Sequence, residues 1–356
     1  MITPNVFNFA TSELSQDAVL AYILSWARPG YQNRYPELNR LGDKLLRLLV
    51  EKAATKKGIQ NPLDKSEPVT ELKVGTQRDR IDVWAEINDR WFLVIEDKTE
   101  TNIHSRQLER YCSKIDSEKW IVLPVYVKTG NECKRYRPTG CGTLLRNELL
   151  DIFADVPNTG NSFIEEYRHH LRQWEKDTKG FLTMNFQDLM APRIFYRQKQ
   201  GYYIELEEWL QKSNRHQKQY IWHYTPNRNG GFMDFSWYWS TLPNNECQLN
   251  LQLNDAGRLF IRAGTGNEKM VTNGLQWKVY NIIMEKADRM PDAPFRLKKA
   301  GAFRGGNGAS VAEVLFDNHL NIDTYVAINE QNTIDLTETQ ARLIQVMDFV
   351  DRICST

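Results

Sequence analysis

Several absences narrow what this chain is before any motif is read. No apolar run approaches the roughly 20 residues needed to span a bilayer, and no leader-like segment opens the sequence. Cysteine is scarce: Cys112, Cys133, Cys141, Cys247 and Cys354 are odd in number and lack paired ligand spacing. That pattern argues against structural zinc and a disulfide framework, and for a reducing compartment. The expectation is a soluble, cytoplasmic protein. Charge of one sign is also missing: the net charge is only +1. Affinity for nucleic acid must then come from local patches rather than a global field. Internal repeats and low-complexity segments are absent as well. What remains is 356 residues, 41% hydrophobic and 26% charged, an ordinary globular composition. That length suffices for one large domain or two ordinary ones.

Residues 78–98, RDRIDVWAEINDRWFLVIEDK, stand out. Two β-rich runs flank a short polar turn, which signals a hairpin. Both runs carry charge where a strand should be apolar: Asp82 in the first, and Glu96, Asp97 and Lys98 closing the second. A charge on a buried strand must be paired or bound to a metal, because desolvating it alone costs too much. A two-residue loop would set Asp82 opposite Ile95 and send Glu96 to the other face. A three-residue loop, Asn88 to Arg90, pairs Ile87 with Trp91, Asp82 with Glu96 and Lys98 with Arg80. Directly opposed Cβ atoms lie about 4.5–5.5 Å apart, so the two carboxylates could then share one ion. An odd-length loop or a bulge is therefore predicted. Two carboxylates with a nearby lysine suit a divalent metal and a polarised water, the chemistry of metal-assisted hydrolysis.

Around this hairpin the periodicity predicts helices over 13–27 and 38–54, a strand over 69–74 and hairpin strands over 79–87 and 91–98. A helix over 103–115 follows, then a strand over 120–127 whose continuous apolar character suits burial on both faces. The pattern is helical from 144 to about 178. Composition shifts near 180–193, which sets the expected domains at 1–180 and 181–356. The second is rich in aromatics, with strands expected at 247–253, 258–263 and near 324–328. Helices are expected over 276–290 and 337–353.

The order helix, three strands, helix, strand, with Asp82 on the second strand and Glu96-Asp97-Lys98 on the third, resembles the PD-(D/E)xK nuclease superfamily. Two further stretches carry the resemblance. Gln107 and Tyr111, spaced i,i+4 on one helix face, look like the QxxxY element of exonuclease-type members. Glu13-Leu14-Ser15-Gln16-Asp17 looks like the acidic first helix of a bacterial branch. No proline precedes Asp82, a position that varies within the superfamily. The usable resemblance covers about residues 10–130. It implies a restriction-endonuclease-like mixed α/β sheet flanked by helices, with a second α+β domain following.

The resemblance also implies roles. Asp82 and Glu96, with the Asp97 carbonyl, would bind Mg²⁺ (or Mn²⁺), and Glu13 would bind a second ion or orient a water. Lys98 would hold the attacking water or stabilise phosphate charge. Gln107 and Tyr111 would position the scissile phosphate. The implied partner is nucleic acid, DNA above all, in a bacterial or phage setting of restriction, repair or anti-phage defence. A homo-oligomer or a partner protein stays open, and no membrane is expected. Taken singly, each feature has an ordinary explanation: EDK as a solvated strand end, Asp82 as a partner of Arg78 or Arg80, Glu13 as a helix N-terminal charge. Their joint order carries the reading. His104, though near in sequence, is given no role. Two alternatives are a catalytically silent nuclease fold used for binding or assembly, and a regulatory protein with a coincidental EDK.

In the second half, residues 294–308 (PFRLKKAGAFRGGNG) contain Arg296, Lys298, Lys299 and Arg304 among four glycines and no acid. Such a stretch can neutralise phosphate while its glycine N–H groups approach it, or it is a flexible basic loop. It lacks the P-loop spacing, which argues against ATP. The aromatic residues of 221–239 are either stacking surfaces for bases or, given their alternation, the core of a sheet turned at 227–231.

Overall fold

The computed structural model describes residues 5–10, 12–64, 67–103, 106–191, 196–213, 220–225, 232–243, 247–265, 270–306 and 308–355. The chain divides into two compact units, Met1–Lys176 and Asp177–Thr356.

The first unit begins with α1 (Glu13–Ser25) and α2 (Pro36–Lys57). Pro36 starts α2 where its missing N–H costs nothing. Gly58 ends it in the left-handed conformation, φ 66°, which a glycine adopts without strain. Then come β1 (Leu72–Arg78), β2 (Ile81–Ile87), β3 (Trp91–Lys98), α3 (Gln107–Cys112), β4 (Ile121–Lys128) and β5 (Gly142–Leu145). Among the described residues they form a five-stranded sheet in sequence order. β1, β2 and β3 pair antiparallel, and β3, β4 and β5 parallel. The mixed α/β sheet is the one expected.

Strand alternation assigns the faces. Val83, Ala85, Leu93, Ile95, Leu123 and Val125 pack with α1 and α2 in the larger core. Phe92, Val94 and Tyr126 pack on the opposite face with Leu108 and Tyr111 of α3. β3 is buried along its whole length, which explains its unbroken apolar reading. β5 has no such signature because it is only four residues long. Gly142 brings it against α2: a Cβ there would lie 2.7 Å from the Ala53 backbone nitrogen.

The helical run over 144–178 resolves into α4 (Arg146–Asp155) and α5 (Ser162–Lys179). Pro157 disfavours helix at Val156, and Gly160 turns the chain with φ 67°. The helix expected over 103–115 is shorter, Gln107–Cys112, and His104 lies outside the described residues.

The second unit contains α6 (Phe186–Met190), α7 (Tyr196–Lys212), β6 (Tyr220–Thr225), β7 (Phe232–Thr241), β8 (Gln248–Asn254) and β9 (Leu259–Gly264). α8 (Asn273–Asp288), β10 (Arg296–Lys299), β11 (Ala309–Leu315) and α9 (Leu336–Ser355) complete it. Among the described residues its six strands form an antiparallel sheet in the order β10-β11-β9-β8-β7-β6. The aromatic run is core here: Trp222, Phe235 and Trp237 are buried, and Trp222 Nε1 donates to Glu207 Oε2 at 2.9 Å. Tyr224 and Phe232 stay exposed; the turn at 227–231 lies outside the described residues.

The strand expected near 324–328 does not form. That segment makes only isolated bridges, Phe316 with Thr324 and Ile328 with Ile334. Side chains satisfy its backbone instead, as when Ala327 N donates to Thr339 Oγ1 at 2.9 Å. Its apolar residues are buried without a ladder, so burial imitated a strand. The strands missed by the sequence reading are β5, β10 and β11.

Candidate active site

The β2–β3 hairpin has the register that an odd loop requires. Ile87 pairs with Trp91, and pairing runs in step to Val83 with Ile95. Asn88 and Asp89 take positive φ, 52° and 46°, a conformation that short polar side chains tolerate. Asn88 Oδ1 accepts from Thr70 N (2.8 Å) and Glu71 N (3.2 Å), which ties the turn to the entry of β1. Asp82 lies one step beyond the last paired residues, and its Oδ2 accepts from Asp97 N at 3.2 Å. The expected pairing of Lys98 with Arg80 is absent. Asp79 and Arg80 instead form the β1–β2 turn, with φ of 53° and 73°.

Alternation along β3 then sorts the charges. Glu96 and Lys98 follow Phe92 and Val94 onto the α3 side, while Asp97 follows Leu93 and Ile95 toward α1. Lys98 Nζ lies 2.6 Å from Glu96 Oε1, 3.7 Å from Asp82 Oδ2 and 3.6 Å from Glu13 Oε2. It also donates to the Asp97 carbonyl at 2.9 Å. Four oxygens, from the four residues named as metal ligands from sequence, thus surround one ammonium.

Burial shapes the electrostatics. Desolvation, with Asp82 adding to it, lifts Glu96 to about 7 against the pull of Lys98. Burial opposes the charge on Lys98, but Glu96, Glu13 and Asp82 outweigh it and raise its pKa. The Asp97 carboxyl is fully buried and held well above the usual carboxylate range by desolvation; Gln16 Nε2 donates to its Oδ1.

α1 contributes more than its first residue. Glu13 Oε1 accepts from Thr101 Oγ1 at 2.6 Å and from Thr99 N at 3.4 Å. One turn on, Gln16 holds Asp97 and accepts from Thr129 Oγ1 at 2.6 Å. Asp17 is buried, lifted to about 7 by desolvation and by Asp82, and accepts from Gln77 Nε2 at 3.1 Å. Lys128, beside Lys98 in the parallel register, donates to the Thr101 carbonyl at 2.6 Å. Gln77 and Lys128 were not singled out from sequence, and Gln16 and Asp17 were named only within the first-helix stretch, without roles of their own. The available signal was a cluster of polar residues, Glu13, Gln16 and Asp17, continuing the helix that buries Leu20, Ile23 and Leu24.

Gln107 and Tyr111 are joined to each other, Nε2 donating to the phenol oxygen at 2.9 Å. They lie on the same sheet face as Glu96 and Lys98. Among the described residues neither hydrogen-bonds to Glu13, Asp82, Glu96 or Lys98.

The basic residues of the second unit do not form a glycine cradle. Arg296 and Lys298 project from edge strand β10 and pair with Asp317 (2.9 Å) and Asp323 (3.3 Å). Lys299 turns to the rings of Trp277 and Phe303, and Arg304 is exposed. The N–H groups of Gly305 and Gly306 are spent on Gln276 Oε1 and the Val271 carbonyl.

A divalent ion fits the donor chemistry of the first site. Glu96 Oε1 meets Lys98 Nζ at 2.6 Å, and Glu96 Oε2 is buried without a hydrogen bond. Among the described residues no three His, Cys, Asp or Glu side chains form a metal cage by themselves. Mg²⁺ does not need one: it is commonly held by one or two carboxylates and keeps several waters. Asp82, Glu96 and the Asp97 carbonyl offer hard oxygens of that kind.

Residues 4–136 match the family model described as the PD-(D/E)XK nuclease superfamily. Among curated proteins and solved structures, none matches the chain. The match supports a nuclease-type function, and nucleases of this superfamily generally use divalent metals. No helix among the described residues is long and apolar enough to cross a membrane. The stretch that carries Glu13, Asp82, Glu96, Lys98, Gln107 and Tyr111 is therefore a PD-(D/E)XK nuclease superfamily domain.

Proposed function

We propose that this protein hydrolyses phosphodiester bonds in nucleic acid, with DNA as its substrate, using a divalent ion at the end of β3. The observation that carries this reading is the convergence of Glu13, Asp82, Glu96 and the Asp97 carbonyl on Lys98. Three carboxylates face one ammonium, an excess of negative charge that a divalent cation would offset. Asp82, Glu96 and the Asp97 carbonyl would hold Mg²⁺ or Mn²⁺, with Glu13 at a second ion or a water. The ion would supply a nucleophilic water and stabilise charge on the phosphate. Lys98 orients that water or offsets the charge that develops on the phosphoryl oxygens. Gln107 and Tyr111 position the strand from the α3 side. The second unit serves recognition of substrate or partner, or self-association. A cytoplasmic role in restriction, repair or anti-phage defence in a bacterial or phage setting fits this chemistry.

The test is incubation of the protein and of Lys98→Ala with linear and circular DNA and with RNA, in Mg²⁺, Mn²⁺ or EDTA. Metal-dependent cutting lost in the variant supports the assignment, and the circular substrate separates endonuclease from exonuclease action. No cutting under any metal would favour a silent nuclease fold that binds or assembles. Cutting retained by Lys98→Ala would move the active site elsewhere.

A further inference from the structure

A cavity of about 560 Å³ opens between α3, β4 and the loop that follows β4. That volume lies within the roughly 300–1,000 Å³ of small-molecule sites. Its walls are largely apolar, with Ile103, Leu108, Val122 and Pro124 contributing. Its cationic side chains come from three separate segments: Lys57 at the end of α2, Arg106 before α3, and Arg135 and Arg137 after β4. Glu109 is the single acid in the lining among the described residues. Arg137 pairs with Glu132 at 3.2 Å, and Arg106 lies 3.8 Å from Glu109 with both side chains exposed. Lys57 donates to the Val122 carbonyl and has no acidic partner among the described residues. Arg135 is exposed and has no acidic partner among the described residues. Apolar walls under a cationic rim match a ligand with a flat, weakly polar body and an anionic end.

The cavity has a defined place relative to the acidic site. Val122 and Pro124 of β4 are in register with Phe92 and Val94 of β3. Glu96 continues that face of β3, so the cavity lies two to four residues back along the sheet from Glu96. At about 3.3 Å per residue this is roughly 7–13 Å. Gln107 belongs to the cavity wall. The sheet face that carries Glu96 and Lys98 therefore also carries a cationic, nucleotide-sized pocket.

We propose that this cavity binds one nucleotide unit, its base against the apolar walls and its phosphate at the rim of Lys57, Arg106, Arg135 and Arg137. The source is either a single-stranded end of the substrate or a free mononucleotide. Only the first source rests on the nuclease reading.

The experiment is calorimetric titration of the full chain in EDTA, where no cleavage occurs. The probes are dAMP, dTMP, inorganic phosphate, a short single-stranded oligodeoxynucleotide and a blunt duplex. The variants are Arg135→Glu and Gly140→Trp, with folding checked by circular dichroism. No atom lies within 4 Å of a Cβ built on Gly140, so a large side chain there can enter the cavity without a backbone clash. Nucleotide or single-strand binding that weakens tenfold or more in Arg135→Glu and Gly140→Trp supports the proposal. Tighter binding of the oligonucleotide, competed by dAMP, assigns the substrate strand; binding of mononucleotides alone assigns the free ligand. Wild-type protein that binds neither overturns the proposal. So does binding unchanged by both cavity variants, or inorganic phosphate binding as tightly as dAMP. Nucleotide binding by a protein that cuts nothing refutes the nuclease reading and leaves the cavity assignment standing.

Discussion

Replacing Lys98 by methionine tests whether the carboxylates around it depend on a cation. The variant keeps an apolar stem of similar length and removes the only ammonium that, among the described residues, the structure places between Glu13, Asp82 and Glu96. Glu96 is fully buried, and breaking a buried ion pair by removing one partner costs about 3–5 kcal/mol. Asp82 and Glu13 are more exposed, so solvent screens their share to about 1 kcal/mol or less. At about 2–4 °C per kcal/mol for a unit of this size, melting in EDTA above neutral pH should fall by roughly 6–20 °C.

The pH dependence identifies the cause. Glu96 is lifted to about 7 in the folded protein, above its value in an unfolded chain. A carboxyl with a raised folded pKa contributes stability below its unfolded pKa and loses it as pH rises through the folded one. Removing Lys98 takes away a lowering influence, so the variant goes on losing stability above pH 7, where the wild-type loss has levelled off. The gap between the two proteins should be widest near pH 8.5, where linkage makes it up to about 2 kcal/mol larger than near pH 5.5. Mg²⁺ should raise the melting temperature of the variant more than that of wild type, because the ion takes oxygens left without a counter-charge. Thermal unfolding at the two pH values, with EDTA or Mg²⁺, measures all of this. A penalty equal at both pH values and indifferent to Mg²⁺ would refute the reasoning and reduce Lys98 to a packing element.

Four other substitutions separate the roles of the site from those of the fold around it. Asp97→Asn should keep activity within about fivefold and stability within about 1 kcal/mol, because burial already disfavours the charged form of the Asp97 carboxyl that Gln16 meets. Glu96→Gln should lower steady-state cleavage by on the order of 10²-fold or more while the fold persists. Thr101→Val removes the hydroxyl that donates to Glu13; a roughly 10–100-fold loss of metal-dependent activity is expected with little change in melting, and an unchanged rate would show that Glu13 needs no anchoring. Gly142→Ala drives a methyl against the α2 backbone, so urea unfolding should show a loss of about 1–3 kcal/mol with no direct effect on the site.

The fold was legible where local periodicity and tertiary burial coincide. β3 is apolar throughout because both of its faces are covered, and α2 carries its own start and stop in Pro36 and Gly58. Legibility failed where burial is supplied from elsewhere in the chain. β5 is too short to show a pattern and is held by the closeness of Gly142 to α2. Residues 324–328 are apolar because they are buried, yet the hydroxyl of Thr339 takes the hydrogen bond that a neighbouring strand would have supplied. In residues 294–308 the basic composition hid an edge strand, since lysine and arginine on an edge blunt further pairing as well as attract phosphate.

The candidate site divides along the same line. Asp82, Glu96 and Lys98 come together by counting: once the loop has three residues, period-two alternation puts Glu96 and Lys98 on one face and Asp97 on the other. Nothing beyond the hairpin is needed for that step. Gln16, Asp17, Gln77 and Lys128 require the helix to be laid on the sheet, and no local rule says which polar residues of α1 will be covered. Buried polar groups persist only with partners, and here the partners are one another: Gln16 with Asp97 and Thr129, Asp17 with Gln77, Lys128 with the Thr101 carbonyl that neighbours the Glu13 anchor. A polar layer of this kind fixes where Asp97 points and so where its carbonyl points. The orientation of the oxygens that converge on Lys98 thus depends on residues that touch none of them directly.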